Sequence, residues 1–100
     1  MNYFKMLYPI ENKPDYRINE NGDIVSLKRK KPLIMKWRLS GCGFKILSLA
    51  TSNVITDILQ HKIVYETFIG KTNGCQIIHL NNDRTDNRPE NLTVAQISLQ

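Results

Sequence analysis

A chain of 100 residues has room for one small domain with a modest core and excludes two independent ones. Its 41% hydrophobic and 23% charged composition is that of a folded globular protein, which excludes the hydrophobic poverty of a disordered chain. Fourteen Lys and Arg against nine Asp and Glu leave a net +5, unevenly spread: from Ile24 to Thr56 there is no acidic residue, yet Lys28, Arg29, Lys30, Lys31, Lys36, Arg38 and Lys45 all fall there.

Residues 3–10 are rich in aromatics and read as a packing segment that Pro9 and Pro14 break up. Tyr16-Arg17-Ile18-Asn19 and Asp23-Ile24-Val25-Ser26-Leu27 flank Glu20-Asn21-Gly22, and Asn-Gly between apolar stretches predicts a β-hairpin. Its second strand leads directly into Lys28–Lys31. Pro32–Leu39 and Phe44–Leu49 read as a second pair of strands, joined by Ser40-Gly41-Cys42-Gly43 with glycines for a positive-φ turn. The facing of its second strand is mixed, since Leu47 and Leu49 share the parity of Lys45; a basic sheet surface is expected only from the first strand, with Lys36 and Arg38. Trp37 fits a core position better than a base-stacking one.

Val54–Ile58 is β-branched and reads as a strand. Gln60–Ile69 places Ile63, Val64 and Phe68 on one face of a short helix that Gly70 ends. Gly74–His79 and Asn91–Ala95 read as strands, and Asn87-Arg88-Pro89-Glu90-Asn91 between them as one helical turn with Asn87 as its cap. No repeat, low-complexity tract or linker interrupts the chain.

The basic interval suits a polyanionic partner such as nucleic acid through counterion release, and the blander reading of a solvated face stands beside it with equal weight. Nothing at the start reads as a signal peptide, and no apolar stretch approaches the roughly 20 residues that span a bilayer. No membrane partner is expected, and a reducing cytoplasmic setting is. Cys42 and Cys75 are compatible with one disulfide or two free thiols, the latter being the expectation; with no C-x-x-C or H-x3-H pair, structural zinc is not expected.

The most informative stretch is Ile77–Leu92, in which His79 ends an apolar strand and a loop of amides and carboxylates follows. A neutral imidazole can take a proton from water near pH 7, and carboxylate and amide oxygens suit a hard divalent cation beside a phosphate. The chemistry suggested is phosphodiester hydrolysis.

Three strings in register, His61–Ile69, Ile78-His79 and Asn87–Leu92, resemble the HNH homing endonucleases of phages and mobile introns, and Tyr16–Leu27 looks like the small module that often precedes that motif. The resemblance covers roughly residues 14–95. It implies an α+β fold, N-terminal β-hairpins followed by a ββα-metal (His-Me finger) motif, in a single domain 1–100 with a basic β-rich module over 14–58 and the HNH-like motif over 59–100. It implies that His79 is the general base, that Asn91 orients it, and that Mg²⁺ or Mn²⁺ assists; His61 reads as a packing or capping residue. Two departures stand out. The residue before the histidine is usually Asp or Asn and here is Ile78, which cannot ligate a cation, and a second ligand would fall near Gln100, on a final helix that is missing or vestigial. Asp83 and Asp86, with Asn81 and Asn82, are the replacement oxygen donors, unless they serve only the turn.

The resemblance thus leaves three readings: a phage-type, DNA-binding HNH nuclease acting in the cytoplasm of a host cell, with Lys28–Lys31 and Arg38 gripping phosphates; a catalytically degenerate relative that binds DNA as a regulator; and a protein-protein inhibitor of a host factor. The loss of a ligand position argues for weak cleavage or none.

Overall fold

The structure, a computed structural model, describes residues 6–95. The fold is α+β. Strands β1 (Tyr8–Ile10), β2 (Lys13–Ile18), β3 (Ile24–Ser26) and β4 (Leu33–Ile34) form an antiparallel sheet in that order. Both prolines lie within strands rather than breaking the segment. Pro9 sits in the edge strand β1, and Pro14 at a register irregularity opposite Pro9 and Ile10, before the part of β2 that pairs with β3, so neither removes a needed ladder donor.

The first hairpin forms where the sequence places it. Asn19 organises its loop, accepting at Oδ1 from the backbone N–H of Asn21 (3.0 Å) and Asp23 (2.9 Å) and donating from Nδ2 to Asp23 Oδ2 (3.1 Å). Gly22 takes the left-handed φ of +86° that closes it.

The second pair of strands differs from the sequence expectation. Pro32–Leu39 is not one strand: Leu33–Ile34 completes the first sheet, and Arg38–Leu39 (β5) begins a second with β6 (Lys45–Thr51) and β7 (Val54–Leu59). Between them Met35 and Trp37 turn inward onto the core, with the Met35 N–H on Ile24 O (2.8 Å) and the Trp37 indole N–H on Gly22 O (2.9 Å). A period of two continues through such a crossing, so alternation does not reveal a change of sheet. The mixed parity of β6 also resolves. Leu47 and Leu49 are buried, while Lys45 lies on the same side at the strand's beginning and stays half-buried. Ser52 and Asn53, at φ 52° and 66°, make the two-residue turn into β7.

Helix α1 (Gln60–Phe68) follows β7 immediately and buries Gln60, His61, Ile63, Val64 and Tyr65. It ends as expected, with Ile69 and Gly70 N–H both donating to Tyr65 O (2.8 and 3.0 Å). Strands β8 (Ile77–His79) and β9 (Leu92–Val94) pair antiparallel, with a 3-10 turn over Pro89–Asn91 just before β9. The cap of that turn is Arg88, whose side chain makes no capping hydrogen bond; Asn87 points inward instead. A single apolar cluster joins the first sheet (Ile10, Tyr16, Ile18, Ile24), the second (Leu47, Leu49), α1 (Ile63, Val64, Tyr65) and β9 (Leu92). The place of the family's final helix, expected to be missing or vestigial, and the ligand position near Gln100 fall beyond residue 95, outside the described residues.

Candidate active site

His79 is the last residue of β8, opposite Leu92, and is buried. Its position follows from the strand pattern: Ile77 and His79 face inward, while Ile78 between them is 41% exposed. Beyond His79 the chain forms a loop that its own side chains hold. Leu80 N–H donates to Asn91 O (2.8 Å) and Asn82 N–H to His79 O (3.0 Å), with Asn82 at a φ of 63°.

Asn91, expected to hold the imidazole, makes no hydrogen bond to it in the structure. Its Oδ1 accepts from Asn81 N–H (3.1 Å), and its Nδ2 donates to Asn81 Oδ1 (2.9 Å) and Asp86 O (2.8 Å), so it clamps both ends of the loop. The amide on the ring is Asn87, eight residues after His79, with Oδ1 2.5 Å from His79 Nε2. Asn87 Nδ2 donates to Gln60 Oε1 (2.8 Å), and Gln60 Nε2 donates to Gly22 O (3.0 Å). Sequence reading missed Asn87 because an asparagine before a proline turn is an ordinary cap, and missed Gln60 because only the fold carries its side chain to both partners.

A second imidazole stands beside the first. The His61 and His79 rings meet edge to face at 5.3 Å, and Phe44, at the start of the second hairpin's return strand, lies 5.0 Å from His61 and 6.4 Å from His79. His61 is no cap; the residue before the helix is Leu59, and His61 Nδ1 is buried without a hydrogen-bond partner among the described residues. Burial, then the neighbouring His79 and Lys62, push its pKa down to about 4, so the ring is neutral at pH 7. The Arg84 guanidinium lies 4.8 Å over Phe44 and donates to Cys42 O (2.5 Å), tying the loop to the glycine turn.

The two candidate metal-binding carboxylates are already engaged. Asp83 Oδ1 accepts from Thr85 N–H (2.9 Å) and Oγ1 (2.7 Å), which holds its pKa below the usual value. Asp86 is gripped by the fork of Arg88, Nε and Nη2 each 2.8 Å from its oxygens, and by Asn81 Nδ2 at 2.8 Å; the Arg88 bonds hold its carboxyl far below the usual range. The seven basic residues are divided between the two sheets and the segments beside them. Lys28–Lys31 lie exposed on the loop between β3 and β4, where Lys28 Nζ donates to Ala50 O (2.6 Å), and Lys36 is exposed on the segment before β5. Arg38 and Lys45 belong to the second sheet, Arg38 pairing with Asp57 at 3.8 Å. Cys42 and Cys75 are free thiols.

This frame, a histidine ending one strand of a short antiparallel pair with an asparagine-clamped loop between the strands, has counterparts. Residues 59–98 match the family model of the HNH endonucleases. An uncharacterized HNH endonuclease of Acanthamoeba polyphaga mimivirus is 31% identical over 85 residues, which is 84% of this chain and 25% of that protein. The HNH homing endonuclease I-HmuI, in a structure of its DNA binding and cleavage, superposes with a TM-score of 0.79 at 18% identity over 90% of this chain and 52% of that one. The chain is HNH endonuclease-like, with the fold of an HNH homing endonuclease.

This HNH-like chain therefore spans a quarter of the length of the viral relative and about half of I-HmuI. HNH nucleases in general depend on a divalent metal. The described residues of this chain do not fit such an ion: the Ile78 side chain is only carbon, Asp83 and Asp86 are committed to internal partners, and no three His, Cys, Asp or Glu converge among the described residues. No helix among them is long and apolar enough to cross a membrane.

Proposed function

We propose that this protein acts on DNA as an HNH-type nuclease in which His79 is the general base of phosphodiester hydrolysis. The observation that carries the proposal is the hydrogen bond from the His79 ring to Asn87 at the end of β8, in a fold like that of an HNH homing endonuclease. In the step proposed, a water oxygen bonds to phosphorus, its proton passes to the free ring nitrogen of His79, and the P–O bond to the leaving oxygen breaks. Asn87 keeps the ring facing the water, and Asn91 keeps the loop that carries Asn87 in shape. The exposed run Lys28–Lys31 is the proposed phosphate grip, with Lys36, Arg38 and Lys45 as outlying positive charge.

A second reading has its own observation. With Ile78 in the ligand place and both loop carboxylates engaged, the charge stabilisation a cation supplies is weakened, which favours a relative that binds DNA with little cleavage. One assay separates the two. Supercoiled plasmid is incubated with the protein and Mg²⁺ or Mn²⁺, beside His79→Ala, and binding is measured in parallel by fluorescence anisotropy. Nicking by the wild type and not by His79→Ala supports the first reading. Binding without nicking, or equal nicking by the variant, replaces it with the second, and absence of binding sinks both.

A further inference from the structure

The turn that closes the first hairpin and the ring of His79 are joined by three hydrogen bonds in series, and their direction has one solution. The Gly22 carbonyl can only accept. Gln60 must therefore aim its NH2 group at it, 3.0 Å away, which leaves Oε1 facing Asn87. That oxygen accepts from Asn87 Nδ2 at 2.8 Å, so Asn87 Oδ1 is the atom turned toward His79 Nε2 at 2.5 Å. An amide oxygen tolerates the contact only when the ring nitrogen carries a hydrogen. Gln60 and Asn87 are each 4% exposed, so water is not at hand to repair a reversed amide, and reversing either one sets oxygen against oxygen.

We infer that Gln60 is a positioning residue for the His79 base: oriented by the Gly22 carbonyl, it fixes the Asn87 amide so that His79 is held as the Nε2–H tautomer, with Nδ1 as the nitrogen that takes the proton of water. The role in catalysis rests on the proposed reading of His79 as base; the tautomer does not. The first link is built to stay in place. Trp37 Nε1 donates to the same carbonyl at 2.9 Å, so both its lone pairs are used. A Cβ on Gly22 would stand 2.9 Å from Gln60 Nε2 and 3.2 Å from Val64 Cγ2, at a φ that L side chains rarely adopt, so the close approach requires glycine. A residue of the preceding module thereby sets the chemistry of a ring in the nuclease-like motif.

The tautomer is read directly from the ring ¹⁵N shifts of His79 in the full chain at about pH 8, where an unperturbed imidazole is neutral. The wild type is expected to show Nε2–H alone. Gln60→Met, close in volume but without donor or acceptor, is expected to give a mixture of tautomers, because Asn87 is then free to turn over. Nicking by that variant is expected to lose about 10- to 100-fold in kcat with KM for DNA little changed. A wild-type ring protonated on Nδ1, or a Gln60→Met ring that remains purely Nε2–H, overturns the inference; should that variant fail to fold, the smaller Gln60→Leu carries the same outcomes. If the wild type shows the Nε2–H ring and no nicking, the base assignment fails while the positioning chain stands.

Discussion

The His61 and His79 rings stand 5.3 Å apart, yet the fold treats them differently: the ring of His79 has an amide on it, while His61 has a buried nitrogen with no hydrogen-bond partner among the described residues. For His61 this has a pH consequence. Its folded pKa of about 4 lies below the ordinary value of 6.5, so between these values the unfolded chain binds the proton and the folded one does not. Stability from this residue is full above about pH 6.5 and is lost as pH falls toward about 4, by roughly 1–3 kcal/mol once solvent screening is allowed for. Urea denaturation at stepped pH is expected to show that fall, and His61→Phe to flatten it; a slope unchanged by the substitution would refute the assignment. Asn91 makes a different prediction. Truncation to Ala strands Asn81 N–H and the Asp86 carbonyl, and is expected to cost about 1–3 kcal/mol in denaturant titrations. That His79 ends a strand was legible in the sequence, from the apolar run before it. Which of two asparagines touches it was not, because Asn87 and Asn91 differ only in how the loop folds around them.

At the scale of elements, the sequence was most readable where a local rule acts alone. Asn21-Gly22 marked its hairpin, Gly70 the end of α1, and the apolar run Ile77-Ile78 the strand before His79. It was least readable where a segment serves two sheets, as Pro32–Leu39 does: Leu33–Ile34 takes its partner from β3 and Arg38–Leu39 from β6, with Trp37 between them bonded to the Gly22 carbonyl. The second sheet reaches the core chiefly through Leu47 and Leu49 of β6, the latter 1% exposed. Leu49→Ala is expected to destabilise by about 2–5 kcal/mol, measured by thermal or chemical unfolding, since both sheets and α1 close around the same cluster. A loss under about 1 kcal/mol would mean that the second sheet is not anchored there.

For the molecule as a whole, the basic run and the histidine pair lie on different elements of the fold. Lys28–Lys31 crown the first sheet, whereas His79 sits between α1 and the β8–β9 pair. On the proposed reading, DNA affinity and cleavage are therefore expected to separate under mutation. Replacing Arg29, Lys30 and Lys31 by alanine is expected to weaken binding across sequences and to flatten the slope of log K against log salt by about 0.9 for each phosphate that is no longer neutralised. An unchanged slope in salt-titrated anisotropy would remove this loop from the DNA interface. The junction between the two parts also carries its own optical label. Trp37 is the sole tryptophan of the chain, and its indole N–H shares the Gly22 carbonyl with Gln60. Its fluorescence, excited apart from the four tyrosines, will shift when that carbonyl is released, so an unlabelled sample can report in real time whether nucleic acid disturbs the seam behind the histidine.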